Sequence, residues 1–175
     1  MDQREEQEFT TYFAARHDAV RRTAYLICGD WHRADDLAQT AFVALHRRWR
    51  KIRNRGALDA YLRRTLVRAA IDESRRPWRR ERFVAEFPEG RAAGAQRDTV
   101  GDAVATRSAL VDGLQQVPPR QRAVLVLRFL EGQSVADVAT TLGCSEGTVK
   151  SQTARGLDTL RVALGDSLDD LRPTG

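Results

Sequence analysis

The chain is poor in cysteine: Cys28 and Cys144 are its two thiols in 175 residues. That number excludes a disulfide scaffold and a cysteine-based zinc site. Apolar neighbours surround each, which predicts a buried thiol. Aromatic residues make up only 7%. The β-branched runs and Gly/Pro turn clusters of an all-β protein are missing. No apolar stretch approaches the ~20 residues needed to span a bilayer. Residues 1–8 are acidic and polar, unlike a secretory leader. His17, His32 and His46 are isolated, with no carboxylates at ligand spacing, and no Gly-rich phosphate loop is present. The expectation is a cytoplasmic protein with no membrane segment, catalytic residue, metal or cofactor.

What is present is helical and basic. Hydrophobic residues are 42% and charged residues 30%, enough apolar material for real cores. The length allows one domain or two of roughly 70–90 residues. The net charge is +5, with a pI near 9.8, and the excess is concentrated. Residues 47–82 carry fourteen Lys/Arg against four Asp/Glu, a local net of +10. Residues 1–46 net −3, residues 83–103 net −2, and residues 104–175 are balanced.

Apolar residues recur at three- and four-residue steps, the helical period. Phe9, Tyr12, Phe13, Val20, Ala24 and Ile27 outline a first helix, with Gly29 as its stop and Asp30 as the next cap. Residues 32–51 fit a second helix, with Leu37, Ala38, Ala41, Phe42, Leu45 and Trp49 inward. Arg53 to Gly56 reads as a loop. Residues 57–76 fit a third helix, broken by Pro77. Residues 84–103, with Gly, Ala and Pro and no apolar stripe, read as a linker. A helix resumes over 104–117, and Pro118-Pro119 opens another in which Val124, Leu125, Leu127, Phe129 and Leu130 are expected to fill an apolar interior up to Gly132. Helices at 135–142 and 146–164 flank Gly143-Cys144-Ser145, and residues 166–175 form a polar tail. The expected fold is all-α: two small helical domains joined by a flexible linker. The expected boundaries are 1–83, a linker at 84–103, and 104–165.

The last helix pair has the layout of a helix-turn-helix. Val135, Val138 and Leu142 pack the first helix, Gly143 turns the chain, and Ser145 caps the second. Val149, Leu157 and Leu160 anchor the second helix inward. Its outward face carries Glu146, Thr148, Lys150, Ser151, Thr153 and Arg155, donors and acceptors suited to base edges and phosphates in a major groove. Gln152 occupies a slot that is often apolar in this motif.

Two further patches point outward. In the basic stretch, cations interleaved with Trp49, Tyr61, Trp78 and Phe83 are the equipment of single-strand or melted-duplex binding; Trp49 and Tyr61 also fit a core. Asp35, Asp36 and Gln39 open the second helix. They suit either ordinary capping or a protein-docking surface, and the residues alone leave that even.

Three motifs in order now carry a resemblance. Asp35-Asp36-Leu37-Ala38-Gln39-Thr40-Ala41-Phe42 resembles the DDLxQxxF signature of bacterial sigma factor region 2. Residues 62–76 (LRRTLVRAAIDESRR) resemble the helix that engages the promoter −10 element. Residues 114–129 (LQQVPPRQRAVLVLRF), with the helix-turn-helix after them, are similar to region 4. The chain resembles an extracytoplasmic-function (ECF) sigma factor of the sigma-70 family, of an actinobacterial-type subgroup. That resemblance implies an RNA polymerase subunit that directs promoter recognition. It implies docking on the β′ coiled coil of the polymerase core through Asp35, Asp36, Leu37, Gln39 and Phe42. It places region 4 on the β flap, with Ser145, Glu146, Thr148, Lys150, Ser151, Gln152 and Arg155 at the −35 element. It assigns the −10 element to Asn54 and Arg55 in the loop that captures a flipped base, and to Tyr61, Arg64, Arg68, Arg75, Arg76, Arg79 and Arg80. Thr40 stands where many members have Glu. Arg68 stands where Asn is common, so the −10 base preference stays open. Control by a separate partner is expected, with an anti-sigma factor as a candidate; the sequence does not say whether a cognate one exists. Two other readings remain: a helix-turn-helix regulator that binds tightly without polymerase, and a nucleic-acid enzyme, which the lack of a catalytic constellation disfavours. A 21-residue tether over 83–103 reaches about 70 Å extended and averages about 25 Å as a coil, enough for two domains to grip separated promoter elements.

Overall fold

Local capping chemistry sets where the helices begin and end. In the computed structural model, which describes residues 1–76 and 101–165, the first helix α1 spans Gln3–Cys28. It begins well before the apolar pattern because Asp2 and Glu5 form a capping box. The Asp2 carboxylate accepts the Glu5 amide at 2.8 Å, and the Glu5 carboxylate accepts the Asp2 amide at 3.0 Å. Gly29 ends α1 at φ +75°, where a side chain would be strained. Asp30 then caps α2 (Trp31–Arg48) by accepting the Arg33 amide at 2.9 Å. The chain tightens into 3-10 turns at Trp49–Lys51 and Arg55–Ala57 before α3 (Leu58–Ser74). The linker at 84–103 falls outside the described residues up to residue 100, as do Trp78, Arg79, Arg80, Phe83 and the tail at 166–175.

The second group begins with α4 (Gly101–Gln116). Pro118-Pro119 leads into α5 (Pro119–Leu125), with proline in its first turn. Here the structure departs from expectation. The helix continues as a π turn over Val126–Leu130, marked by the Glu131 amide bonding the Val126 carbonyl at 2.9 Å. One extra residue in a turn rotates the succeeding side chains by about 100°. Val126 and Leu127 stay buried, but Phe129 and Leu130, expected inside, are 55% and 46% exposed. The helix-turn-helix forms as expected: α6 (Val135–Leu142), Gly143 at φ +66°, then α7 (Glu146–Leu164). Ser145 caps α7 by accepting the Thr148 amide at 3.1 Å.

α1, α2 and α3 pack as one helical domain around Leu45, Trp49 and Leu66; α4 to α7 pack as another around Leu114, Val124, Leu127, Val138 and Val149. The two also share a seam, and their buried residues form one continuous cluster. α3 lies against α5 and α6, and the end of α1 against α4, α5 and the π turn.

Arg122 stands at the seam. It is only 8% exposed, and no carboxylate among the described residues pairs with it. Its guanidinium instead donates to main-chain carbonyls: Leu114 at 2.6 Å, Val117 at 2.9 Å, Gln115 at 3.2 Å and, across the seam, Ile27 at 2.7 Å. These are the spare carbonyls at and just beyond the ends of α4 and α1, where the helix dipole favours a cation. Burial, and then the nearby charge of Arg33, lower its pKa to about 10; it remains a cation at neutral pH. Replacing Arg122 with Met should cost about 2–4 kcal/mol in urea unfolding, because buried carbonyls lose their donors. Arg122→Lys should recover less than half of that, since an ammonium cannot span the same fork. Full recovery by lysine would show that charge alone matters there.

Candidate nucleic-acid and protein-docking surfaces

The helix-turn-helix presents a clean outward face. Val149 is fully buried, and Gly156 brings α7 close to α5: a Cβ there would sit 3.1 Å from Leu125 Cδ1. The opposite side exposes Ser145, Glu146, Lys150, Ser151 and Arg155. Thr148 is half-buried, its hydroxyl 3.0 Å from that of Ser145, and Ser151 donates back to the Thr148 carbonyl at 3.0 Å. The cap residues are thus occupied locally, while Lys150 and Arg155 have no carboxylate partner among the described residues. Gln152 lies on the inward-leaning side, half-buried, with its amide oxygen sealed from solvent and without a hydrogen bond.

The basic stretch divides in three dimensions. Trp49 is a core residue, 2% exposed, with edge contacts to Phe9 at 5.2 Å between ring centroids. Arg55 is held to the body: its guanidinium lies 4.3 Å over the Trp49 ring and donates to Glu8 at 2.9 Å and to the Trp49 carbonyl at 3.3 Å. Arg50 pairs with Glu5 at 3.0 Å, and Arg16 pairs with Asp59. The Asp2 amide first, and Arg50 second, lower the pKa of Glu5. Asn54 accepts the Gly56 amide at 2.9 Å, which shapes the loop. On α3, Tyr61 and Arg64 are half-buried and Arg68 is exposed; Arg75 and Arg76, just beyond its end, are exposed too. None of these four arginines has a carboxylate partner among the described residues. Arg79 and Arg80 lie outside those residues.

The acidic start of α2 separates into two faces. Leu37 and Phe42 are 4% and 3% exposed and belong to the core; the Phe42 ring packs on Phe13 at 4.7 Å. Asp35, Asp36 and Gln39 are exposed. Asp35 accepts a hydrogen bond from Arg21, which lowers its pKa. Asp36 and Gln39 line a shallow groove of about 460 Å³ with Thr40, Val43, Ala44 and Arg47. Reading the sequence missed Val43, Ala44 and Arg47. The signal was there: they continue the outward three- and four-residue steps from Asp36, and Val43 is an apolar residue on that stripe, 42% exposed.

Cys28 is buried, with its thiol 3.2 Å from the Asp30 carbonyl, and burial raises its pKa; Cys144 is half-buried. Among the described residues no group of His, Cys, Asp and Glu is placed to hold a metal, and no helix is long and apolar enough to cross a membrane.

Comparison with known proteins agrees with this layout. The family description "Sigma-70 region 2" matches residues 12–80, and "Sigma-70, region 4" matches residues 107–160. The chain belongs to the sigma-70 family of RNA polymerase sigma factors. Within it, the chain is an ECF-type sigma factor. It is 38% identical over 157 residues to the RNA polymerase sigma-E factor of Streptomyces coelicolor, covering 90% of this chain and 86% of that one. It is 32% identical to the ECF RNA polymerase sigma factor SigM of Mycobacterium tuberculosis, covering 90% and 77%. The fold matches that of the sigma factor RpoE of Bartonella quintana, solved with the anti-sigma factor NepR, at a TM-score of 0.66 and 21% identity, over 90% of this chain and 97% of that one.

The burial of Leu37 sets its role apart from that of its neighbours. Leu37→Ala should cost about 2–4 kcal/mol of stability through the cavity it leaves. Equal urea midpoints for this variant and the wild type would mean that Leu37 is not packed as described.

Proposed function

We propose that this sigma factor divides promoter recognition between its two helical domains, with boundaries at 1–83 and 104–165. The N-terminal domain docks on the β′ coiled coil of core polymerase through the groove that begins at Asp36 and Gln39, with Asp35 at its edge. Leu37 and Phe42 act there from beneath, by fixing the helix that bears those groups. Tyr61, Arg64, Arg68, Arg75 and Arg76, with Arg79 and Arg80 beyond them, engage the −10 element; Asn54 and Arg55 shape the loop that receives an extruded base. Extrusion costs a few kcal/mol, which contacts in the loop must offset. The C-terminal domain sits on the β flap and presents α7 to the −35 element. The observation that carries this reading is that two different surfaces lie on different helices. A groove in which Asp36 and Arg47 flank apolar Val43 and Ala44 suits a protein partner, and arginines without a carboxylate partner on and just beyond α3 suit phosphates. The RpoE neighbour was solved with an anti-sigma factor, which supports control of this chain by a partner of the same kind.

Run-off transcription with purified core polymerase, and then mapping of start sites, tests the reading. Asp36→Arg should lose core binding while keeping wild-type helicity. Co-purification of that variant with core at the wild-type level would remove Asp36 from the docking surface.

Roles on α7 separate by geometry. Lys150 and Arg155 are five residues apart and diverge by about 140° on a helix of 3.6 residues per turn, so one central base cannot engage both. Lys150 and Ser151 lie nearer the N-terminal end that enters the groove. Lys150→Ala should cost about 1–3 kcal/mol and relax preference at one −35 position. Arg155→Ala should weaken all −35 variants equally, as loss of a phosphate contact does. A panel of single-base −35 promoters transcribed by each variant decides this; a changed base preference only in Arg155→Ala reverses the assignment.

A further inference from the structure

The corner between α1 and α2 is tight. Gly29, at φ +75°, and Asp30 are all that separate the helices, and α2 packs back along α1. Arg21 and Tyr25 stand four residues apart near the end of α1, and Trp31 and Asp35 stand four apart at the start of α2. Residues at that step share one face of a helix, so the corner turns two such pairs toward each other. The Tyr25 and Trp31 rings stack with centroids 3.9 Å apart and planes 1° from parallel. The Arg21 guanidinium lies over the Trp31 ring, 4.3 Å from its centroid. The same guanidinium donates to Asp35, through Nε to one carboxylate oxygen and through Nη2, at 3.4 Å, to the other.

Packing alone does not account for Trp31. An indole is among the largest apolar groups a chain can bury, yet Trp31 is 40% exposed and lies outside the buried cluster against which Tyr25 packs. Its ring is engaged by an aromatic and a cation instead. A guanidinium is planar and weakly hydrated, and it stacks on a ring face while its edge stays free to donate. An exposed Arg–Asp pair by itself contributes little, because two flexible side chains must be held in one geometry. Here the ring takes that freedom from Arg21. The carboxylate that receives its hydrogen bonds is Asp35, next to the Asp36 that opens the groove on α2. Arg21 fills only part of the roughly four acceptor positions of a carboxylate, and Asp35 remains exposed. The Arg21 hydrogen bond above all lowers the Asp35 pKa, and the neighbouring His17 and His32 add to it; Asp18 faces Arg21 from α1.

We propose that Trp31 is a positioning residue for docking on core polymerase: stacked with Tyr25, it holds Arg21 flat, and Arg21 aims the Asp35 carboxylate at a hydrogen-bond donor of the polymerase. This rests on the reading of α2 as the docking helix. Side chains fixed before association need less ordering when the partner arrives, so loss of the ring shows as weaker binding by a correctly folded chain.

Equilibrium binding of full-length variants to purified core polymerase tests this. Trp31→Ala should weaken binding by roughly two- to fivefold, the size of a cation–π contact at an exposed site. Trp31→Leu, which has bulk but no π face, should match it, and Trp31→Phe should recover most of the loss. Arg21→Lys keeps the charge without the planar fork. It should fall in the same range, and it decides the matter if Trp31→Ala loses helicity. Two readouts separate positioning from packing or direct contact. In an Asp35→Asn background, Trp31→Ala should cost nothing further, because its effect runs through that carboxylate. In carbon-detected NMR titrations, the Asp35 carboxyl pKa should rise toward the ordinary carboxylate range in Trp31→Ala and Trp31→Leu and stay low in Trp31→Phe. Wild-type binding by folded Trp31→Ala, a further loss in the Asp35→Asn background, or an Asp35 pKa that does not move overturns the proposal. Asp36→Arg keeps the two readings apart. If it loses core binding while Trp31→Ala keeps it, the role of Trp31 alone falls, whereas core binding by both variants would remove the docking surface itself.

Discussion

One buried cation organises the molecule. Arg122 has left water without a carboxylate among the described residues to meet it, and a charge so placed is tolerated only when its donors are filled. The carbonyls of Leu114, Gln115, Val117 and Ile27 fill them. Helix ends have carbonyls to spare, and two chain segments must stop at the same place for one guanidinium to reach them all. The end of α4, the Pro118-Pro119 corner and the start of α5 are thereby set in one arrangement, and that arrangement carries the helix-turn-helix. The same side chain reaches across to α1, so the internal order of one domain and its seating on the other depend on a single group.

The fold distributes charge as the linear order does not. The stretch over 47–82 is strongly basic in sequence, yet its first part is met by acids from α1, as Arg50 by Glu5 and Arg55 by Glu8. Such exposed pairs add little stability. Arg64 and Arg68 on α3, and Arg75 and Arg76 just beyond it, have no carboxylate partner among the described residues, and neither do Arg47, Arg48, Lys51 and Arg53 earlier in the stretch. Phosphate binding by these unpaired cations should fall steeply with salt. The groove on α2, lined by Asp36, Gln39, Thr40, Val43, Ala44 and Arg47, lies on a different helix from Arg64 and Arg68.

Features written in local chemistry were legible in the sequence. Gly29 and Asp30, and then Gly143 and Ser145, mark helix ends where expected, because caps involve residues three or four apart. Helix period placed Leu45, Trp49 and Val149 inside. The seam was not legible: Arg122 and Ile27 are 95 residues apart, and nothing near Arg122 announces a carbonyl cage. The π turn escaped for a similar reason. A 3.6-residue period cannot reveal one extra residue, so Phe129 and Leu130 were expected inside. Motif membership also misled about surface. Leu37 and Phe42 belong to the region 2 signature, but they support α2 from within, while Val43 and Arg47 line the groove outside that signature.

The central claim is that the two helical domains are seated on one another through one buried seam at Arg122. Fluorescent labels at exposed Ala14 and Val162, in a chain with Cys28 and Cys144 replaced by alanine, would report the distance between them directly. One short, narrowly distributed distance in the free protein is the expected result. A long or broad distribution in the folded free chain would contradict it.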